Sequence, residues 1–436
     1  MSEQTLSDWF NGRHHPRDLD QLMKVVRVLT RWADRPPAQY EPWSRLLDPH
    51  HEGPGNGMTK PVANGPLGRD TSHEESTTAQ DVLHKKLPAR LSRRNLLVGA
   101  AGVVAVAGLG LAGQKMFGTH SGGLRWKFPT EAPVNSQPVV ADGVVYVASD
   151  DRHLYAIDAA SGKQRRRFPT ADRARSGPVV ANGVVYVGSN DHYLYAVQAA
   201  SGKQQWQYET GGPLGWSSPV LDGGAVFVGS EDQQLYSINV TSGRRQWQID
   251  TKGTAWGPAV ANGVVYFGCD DGLHAVVTTD GTHLWTRATL ATARRPTVSN
   301  GVVYVGDGGG NVYAFDAING EQYWIANVKG ELWTAPAVKD GVAYVGSDDN
   351  CLYAMNTTDG RQLWRFPTGY QLRSAPVVAN GVVYVGSGDE HLYAVDDKGT
   401  EQWRLNVGGY IWSSPTIADG VVYVGSPDKN VYAVFT

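Results

Sequence analysis

A proline recurs from residue 138 onward, at Pro138, Pro178, Pro219, Pro258, Pro296, Pro336, Pro376 and Pro415. The side chains two or three places ahead of it have the most capacity for recognition chemistry. They are Asn135, Arg175, Trp216, Trp256, Arg294, Trp333, Arg373 and Trp412, with Tyr370 and Tyr410 in the same segments. Trp and Arg dominate binding hot spots. Arg also stacks on aromatic faces and forms paired hydrogen bonds with anionic groups. Four Trp and three Arg therefore suit ligand recognition, provided the fold gathers them.

Other reactive types are sparse or repetitive. Asp151, Asp191, Asp232, Asp271, Asp349, Asp389 and Asp428 recur at the repeat spacing. A metal site needs donors converging on one point, so one Asp per repeat reads as turn chemistry. Cys269 and Cys351 are the only cysteines. They fall two repeats apart, beyond disulfide reach, and read as inert strand-end thiols. No serine-hydrolase, zinc-protease or phosphate-loop pattern occurs. Gly306-Asp307-Gly308-Gly309-Gly310 precedes a strand, not a helix, and is no nucleotide loop. His14-His15 and His50-His51 sit in polar segments and read as solvated. The net charge of -3 points to no polyanion partner.

The elements that must position these residues are short strands. Eight copies at a period of ~40 residues signal a propeller or solenoid. In the second copy, Pro178-Val179-Val180 begins a strand and Asn182-Gly183 makes a tight hairpin turn. Val184–Gly188 and Tyr193–Val197 are the next two strands, and a fourth carries Trp206. The turn recurs as Asp142-Gly143, Gly223-Gly224, Asn262-Gly263, Asn300-Gly301, Asp340-Gly341, Asn380-Gly381 and Asp419-Gly420. The last copy stops after its third strand at Thr436, while Ser121–Trp126 aligns with the fourth-strand segment Ser201–Trp206. The N-terminal strand is thus expected to complete the final blade, closing a ring with no free edge. The expected fold is all-β: an eight-bladed β-propeller with four-stranded blades over residues 118–436. The Trp/Arg set would then surround one mouth of its central funnel. The competing reading packs these Trp between blades and pairs the Arg with the turn Asp residues.

The segment Ala-x-(Asp/Asn/Gln)-x-x-(Ser/Asp/Asn)-Gly-x-x-x-Trp stands at Ala196–Trp206, Ala314–Trp324 and Ala354–Trp364, and at Ala275–Trp285 with Val277 in its third place. It resembles the tryptophan-docking motif of pyrroloquinoline-quinone (PQQ) repeat propellers. Ser237 replaces the first Ala before Trp247, one residue is lost before Trp403, and Arg166 stands where the first blade should carry Trp. The resemblance implies that Trp126, Trp206, Trp247, Trp285, Trp324, Trp364 and Trp403 wedge between blades as structural residues. It covers quinoprotein dehydrogenases as well as non-enzymatic propellers similar to the outer-membrane assembly lipoprotein. The dehydrogenases hold quinone with calcium, carboxylate and amide ligands and a catalytic Asp, often beside an adjacent cysteine pair. The cysteines here are not adjacent, so the non-enzymatic branch is expected, without PQQ or calcium, and no catalytic or metal residue is assigned.

Before the repeats, residues 1–47 read as helical, with Leu19, Leu22, Met23, Val26, Leu29 and Ala33 on one face. Thr5–Arg13, followed by Pro16 and a helix, resembles part of a phage-repressor-like helix-turn-helix. The two helices that precede it in that family have no counterpart in this sequence, so DNA contact is a secondary reading. Residues 48–95 read as a disordered linker with a basic end. Residues 96–117 are apolar and long enough for a transmembrane helix. Lys85, Lys86, Arg90, Arg93 and Arg94 before them place the N-terminus in the cytoplasm and the propeller outside. Ser92–Leu97 resembles a twin-arginine export signal, and Ala105-Val106-Ala107 offers a cleavage site. An uncleaved single-pass anchor in the cell membrane is the expected arrangement. The expectation is an extracytoplasmic platform for a protein, peptide or cell-envelope ligand. The alternatives are a PQQ-dependent dehydrogenase and a transmembrane regulator with a cytoplasmic DNA-binding segment.

Overall fold

A computed structural model describes residues 121–436 of the chain. Among the described residues, eight four-stranded antiparallel sheets follow one another in sequence. Blade 1 comprises Val139–Ala141, Val144–Ser149, His153–Asp158 and Gln164–Pro169, and the pattern repeats through blade 7. Blade 8 takes three strands from the C-terminus: Thr416–Ala418, Val421–Ser426 and Asn430–Phe435. Its fourth is Leu124–Pro129. The closing strand pairs antiparallel with the last one, Lys127 opposite Tyr432 and Phe128 opposite Val431. The ring therefore closes as its sequence predicts.

The local chemistry accounts for the blades. At all eight first turns both central residues have positive φ, as at Asn182 (51°) and Gly183 (74°). That is the type I′ hairpin geometry whose twist matches the strands it joins. The second and third strands are buried on both faces, and their Val-rich runs fit that setting. Fourth strands alternate exposed and half-buried residues, as in Gln204–Glu209. Most first strands are only half-buried, and each neighbours the first strand of the next blade around the whole ring. They line the axis.

Apolar clusters lie between blades rather than within them. Val144 and Tyr146 of blade 1 pack with Val185, Val187 and Tyr195 of blade 2. The cluster that closes the circle joins Trp126, Tyr423 and Ala433 of blade 8 to Val145 and Val147 of blade 1. A blade cannot bury its faces alone, so stability comes from neighbours. The motif indoles complete these seams. Trp126, Trp206, Trp247, Trp285, Trp324 and Trp364 each donate Nε1–H to a carbonyl in the next blade, at 2.8–3.3 Å. Trp403 lies against Gly122. Arg166 takes the same place against Gly202.

The expected helical segment, linker and membrane span fall at residues 1–117, outside the described residues. Among the described residues, no helix is long and apolar enough to cross a membrane. Blade 4 departs from the expected start of its first strand. Its strand Trp256–Ala261 includes Pro258 and Trp256, with a register shift between Trp256 and Ala259 that absorbs the proline. In the other seven blades the three-residue first strand begins one residue after the proline expected to open it, since proline has no N–H to give to the ladder.

Candidate functional site

The loops joining each fourth strand to the next first strand share a face with the turns between second and third strands. The repeating Asp residues hold these two sets of loops together. Asp191 accepts hydrogen bonds from the Ala171 amide and the Tyr195 hydroxyl. Asp232 binds Gly211 and Tyr236 in the same way, and Asp389 binds Gly369 and Tyr393. Asp151 and Asp428 also accept from their tyrosines. The structure thus ties them into turns, one per blade. In blade 5, Asp307 takes that role with Tyr313 and Ala291.

On this scaffold the residues ahead of each proline fall into two groups. In the first, Trp216 and Trp412 stand edge to face with ring centres 6.3 Å apart. They come from the loops leading into blades 3 and 8, which are not neighbours, so the two rings lean across the axis toward each other. The Arg175 guanidinium lies 5.3 Å from the Trp216 ring. Asp150 fixes it through two hydrogen bonds, Nε to Oδ1 at 2.9 Å and Nη2 to Oδ2 at 2.8 Å. Asn135 also donates to Asp150.

In the second group, Arg294 is held between Trp256 and Trp333, at 4.6 and 4.1 Å from their ring centres. Arg373 also lies over the Trp333 ring, at 4.7 Å from its centre. Asp348 receives Arg373 in a fork, at 3.0 Å from Nε and 2.7 Å from Nη2, and also accepts the Trp333 indole N–H. The Asp348 hydrogen bond raises the Arg373 pKa, and Asp150 does the same for Arg175. Burial lowers that of Arg294. Arg294 is only 8% exposed, and its Nε has no hydrogen-bond partner. The Trp256 indole N–H is likewise buried and unpartnered.

All seven residues singled out from sequence therefore lie on one face, in mutual contact within two groups. These tryptophans sit at the mouth rather than in the blade seams, while two of the arginines are indeed paired with acids. The acids are Asp150 and Asp348, each one residue ahead of the repeating Asp. Sequence reasoning passed over them, although a signal exists. Each blade that receives an Arg is preceded by a blade with Asp at that place: Asp150 before Arg175, Asp270 before Arg294, Asp348 before Arg373.

Several aromatic rings of this face are exposed. Trp216 is 40% exposed, Trp412 39%, Tyr370 47% and Tyr410 52%. Tyr370 and Tyr410 stack on each other at 5.6 Å. A crevice between Trp216 and Trp256, lined by Leu214 and Ala255, has a volume of about 10 Å³. That is room for no more than one water.

Comparison with known proteins places this geometry. No curated protein matches the chain. Among solved structures, a computationally designed protein, Ika8, superposes with a TM-score of 0.66 at 14% identity, covering 72% of this chain and 100% of that one. BamB from Moraxella catarrhalis gives 0.63 at 20%, covering 72% and 97%. The quinohemoprotein alcohol dehydrogenase of Comamonas testosteroni gives 0.62 at 16%, covering 72% and 76%. At these identities the likeness is one of fold, common to a designed protein, BamB and an alcohol dehydrogenase alike. The sequence match is family-wide: residues 80–172, 166–297, 271–372 and 367–435 fit the PQQ repeat family described as outer membrane protein assembly factor BamB. The chain belongs to that family of PQQ-repeat propellers.

Proposed function

We propose that this propeller is a non-enzymatic binding platform whose Trp/Arg face receives a protein or peptide segment outside the cytoplasm. The observation that carries this reading is the cluster of exposed aromatics, Trp216, Trp412, Tyr370 and Tyr410, beside arginines already oriented by Asp150 and Asp348. Pre-oriented arginines and rigid rings lose little conformational freedom on binding. The open, shallow surface suits a macromolecular segment better than an engulfed small molecule, which normally occupies a concave pocket. The kinship with an assembly factor supports the same reading. The membrane tether is proposed to be residues 96–117, with the N-terminus cytoplasmic.

Photocrosslinking from residues 216 and 412 in cells tests the platform. A discrete adduct is expected from both positions and none from the opposite face at residue 182. Equal labelling from both faces would remove the proposal. The dehydrogenase alternative rests on shared fold with the alcohol dehydrogenases. It is tested by thermal unfolding with PQQ and calcium, where a ligand at 100 times its Kd would add about 2.7 kcal/mol. No shift is expected.

A further inference from the structure

Blade 4 breaks the repeat at three chemically linked positions. The residue at the end of the second strand or directly after it is Ser149, Ser189, Ser230, Ser347, Ser387 or Ser426 in six blades and Asp307 in blade 5, but Cys269 in blade 4. The third strand carries the Asp-bound tyrosine in every other blade and His274 in this one. The turn between them is one residue shorter, and Gly272 adopts φ of 130° to make it. The shortened turn holds Asp271 between the two exchanged side chains. Its Oδ1 lies 2.9 Å from Cys269 Sγ and 2.7 Å from His274 Nε2. The three donor atoms fall within 4.8 Å of one another.

We propose that Cys269, Asp271 and His274 form a binding site for a divalent ion of the zinc class, with a fourth position open to water. Thiolate, imidazole and carboxylate are the donors such ions take, and three protein ligands plus water is a known arrangement for zinc. Tetrahedral coordination at zinc bond lengths separates donors by roughly 3.4–3.6 Å. The present spacings need only a small opening of side chains around Asp271. Surrounding groups suit the role. Thr286 Oγ1 lies 3.0 Å from His274 Nδ1, so the ring can donate there and turn the Nε2 lone pair to the ion. Thr286 is itself held by His283 Nε2 at 2.8 Å. Phe267 stacks on the His274 ring at 5.1 Å and fixes its plane. Lys252 lies 3.5 Å from Asp271 Oδ2, the oxygen the ion does not need. A cavity of about 390 Å³, lined by Asp271, His274, His283 and Thr286 among others, gives the ion and its water a path from solvent. None of these residues belongs to the Trp/Arg groups, so the site stands or falls apart from the platform reading.

Cobalt(II) added to the purified, metal-stripped full chain is the test, because it reports its ligands in its absorption spectrum. One ion per chain should give a thiolate-to-cobalt charge-transfer band and the visible bands of tetrahedral coordination, and zinc should displace both. Cys269→Ser and His274→Tyr install what other blades carry, so the fold should persist. Cys269→Ser should abolish the charge-transfer band, His274→Tyr should weaken binding, and Thr286→Val should weaken it about 10-fold. Cys351→Ser should change nothing. Absence of a thiolate band in the unmodified chain, or its survival in Cys269→Ser, would overturn the site. Cobalt bound without such a band would mark ligands elsewhere, such as the N-terminal histidine pairs, and would count against it equally.

Discussion

Arg166 shows how much of this molecule's stability resides in single side chains at the seams. It occupies the place that other blades give to an indole, lies exposed, and faces Gly202 with its aliphatic stem 3.1 Å from where a Cβ would be. Tyr146 stands in the seam where Tyr186 meets Trp206 one blade on. Arg166→Trp should therefore dock on Gly202, meet Tyr146 and donate its N–H to Ala199, as Trp206 does to Val240. A gain of about 1–2 kcal/mol is expected from the added apolar burial, read as a higher urea midpoint with unchanged slope. In the opposite direction, Trp285→Ala should cost about 3–5 kcal/mol. At the Trp/Arg face, Asp150→Asn and Asp348→Asn remove the charge that orients Arg175 and Arg373. Each should leave the fold intact and weaken partner capture at residues 216 and 412. Unchanged crosslinking in both variants would show that the arginines need no such support.

At the scale of the turn and strand, two glycines separate backbone strain from packing. Gly301 and Gly320 both lie in blade 5 at positive φ, 74° and 68°. Nothing lies within 4 Å of a Cβ placed on Gly301, whereas one on Gly320 would come within 2.8 Å of the Trp285 ring. Gly301→Ala should cost about 1 kcal/mol, the backbone term alone. Gly320→Ala should cost clearly more, because the indole seated against it must move. Equal losses in denaturant unfolding would mean that docking against the glycine contributes little. The same elements explain what sequence could and could not disclose. Strand boundaries were legible because seven of eight copies repeat the Asn-Gly or Asp-Gly turn and seven carry the docking Trp, so the common pattern outweighs local irregularity. The gathering of Trp216 with Trp412, or of Arg294 between Trp256 and Trp333, was legible only as proximity to the axis, since side-chain direction depends on loops that do not repeat. Asp150 and Asp348 escaped notice because the neighbouring Asp151 and Asp349 carry the repeat and drew the turn assignment. Cys269 read as an inert strand-end thiol, and His274 stood out by no motif. Only the shortened turn at Gly272 brings them to one carboxylate.

For the whole molecule, closure rests on one strand from the far end of the chain. Leu124–Pro129 pairs with Asn430–Phe435 of blade 8, and its Trp126 docks on blade 1, donating to Ala159 at 3.0 Å. The same strand thus supplies a sheet edge to one blade and a wedge to the next. Lys127 strengthens the pairing from outside through Asp428 at 3.2 Å, an exposed contact worth at most about 1 kcal/mol. Ring closure also bears on the binding face, because Trp412 is carried by the loop into blade 8 and meets Trp216 only if that blade is held in place. Two variants divide these effects. Trp126→Ala keeps the strand and removes the wedge, so it should lower stability by about 3–5 kcal/mol while leaving a folded ring. Deleting residues 121–129 exposes the Asn430–Phe435 edge and opens the seam to blade 1. An uncovered edge of this kind recruits other chains, so the deleted protein should self-associate and lose one broad cooperative transition. Size-exclusion chromatography with denaturant unfolding would read both. A monomeric, cooperatively folding deletion variant would show that blade 8 stands on its interface with blade 7 alone, through Val422, Val424 and Tyr432 against Tyr384 and Leu392. Partner crosslinking at residue 412 should then survive the deletion as well, since the loop that carries it would still be anchored.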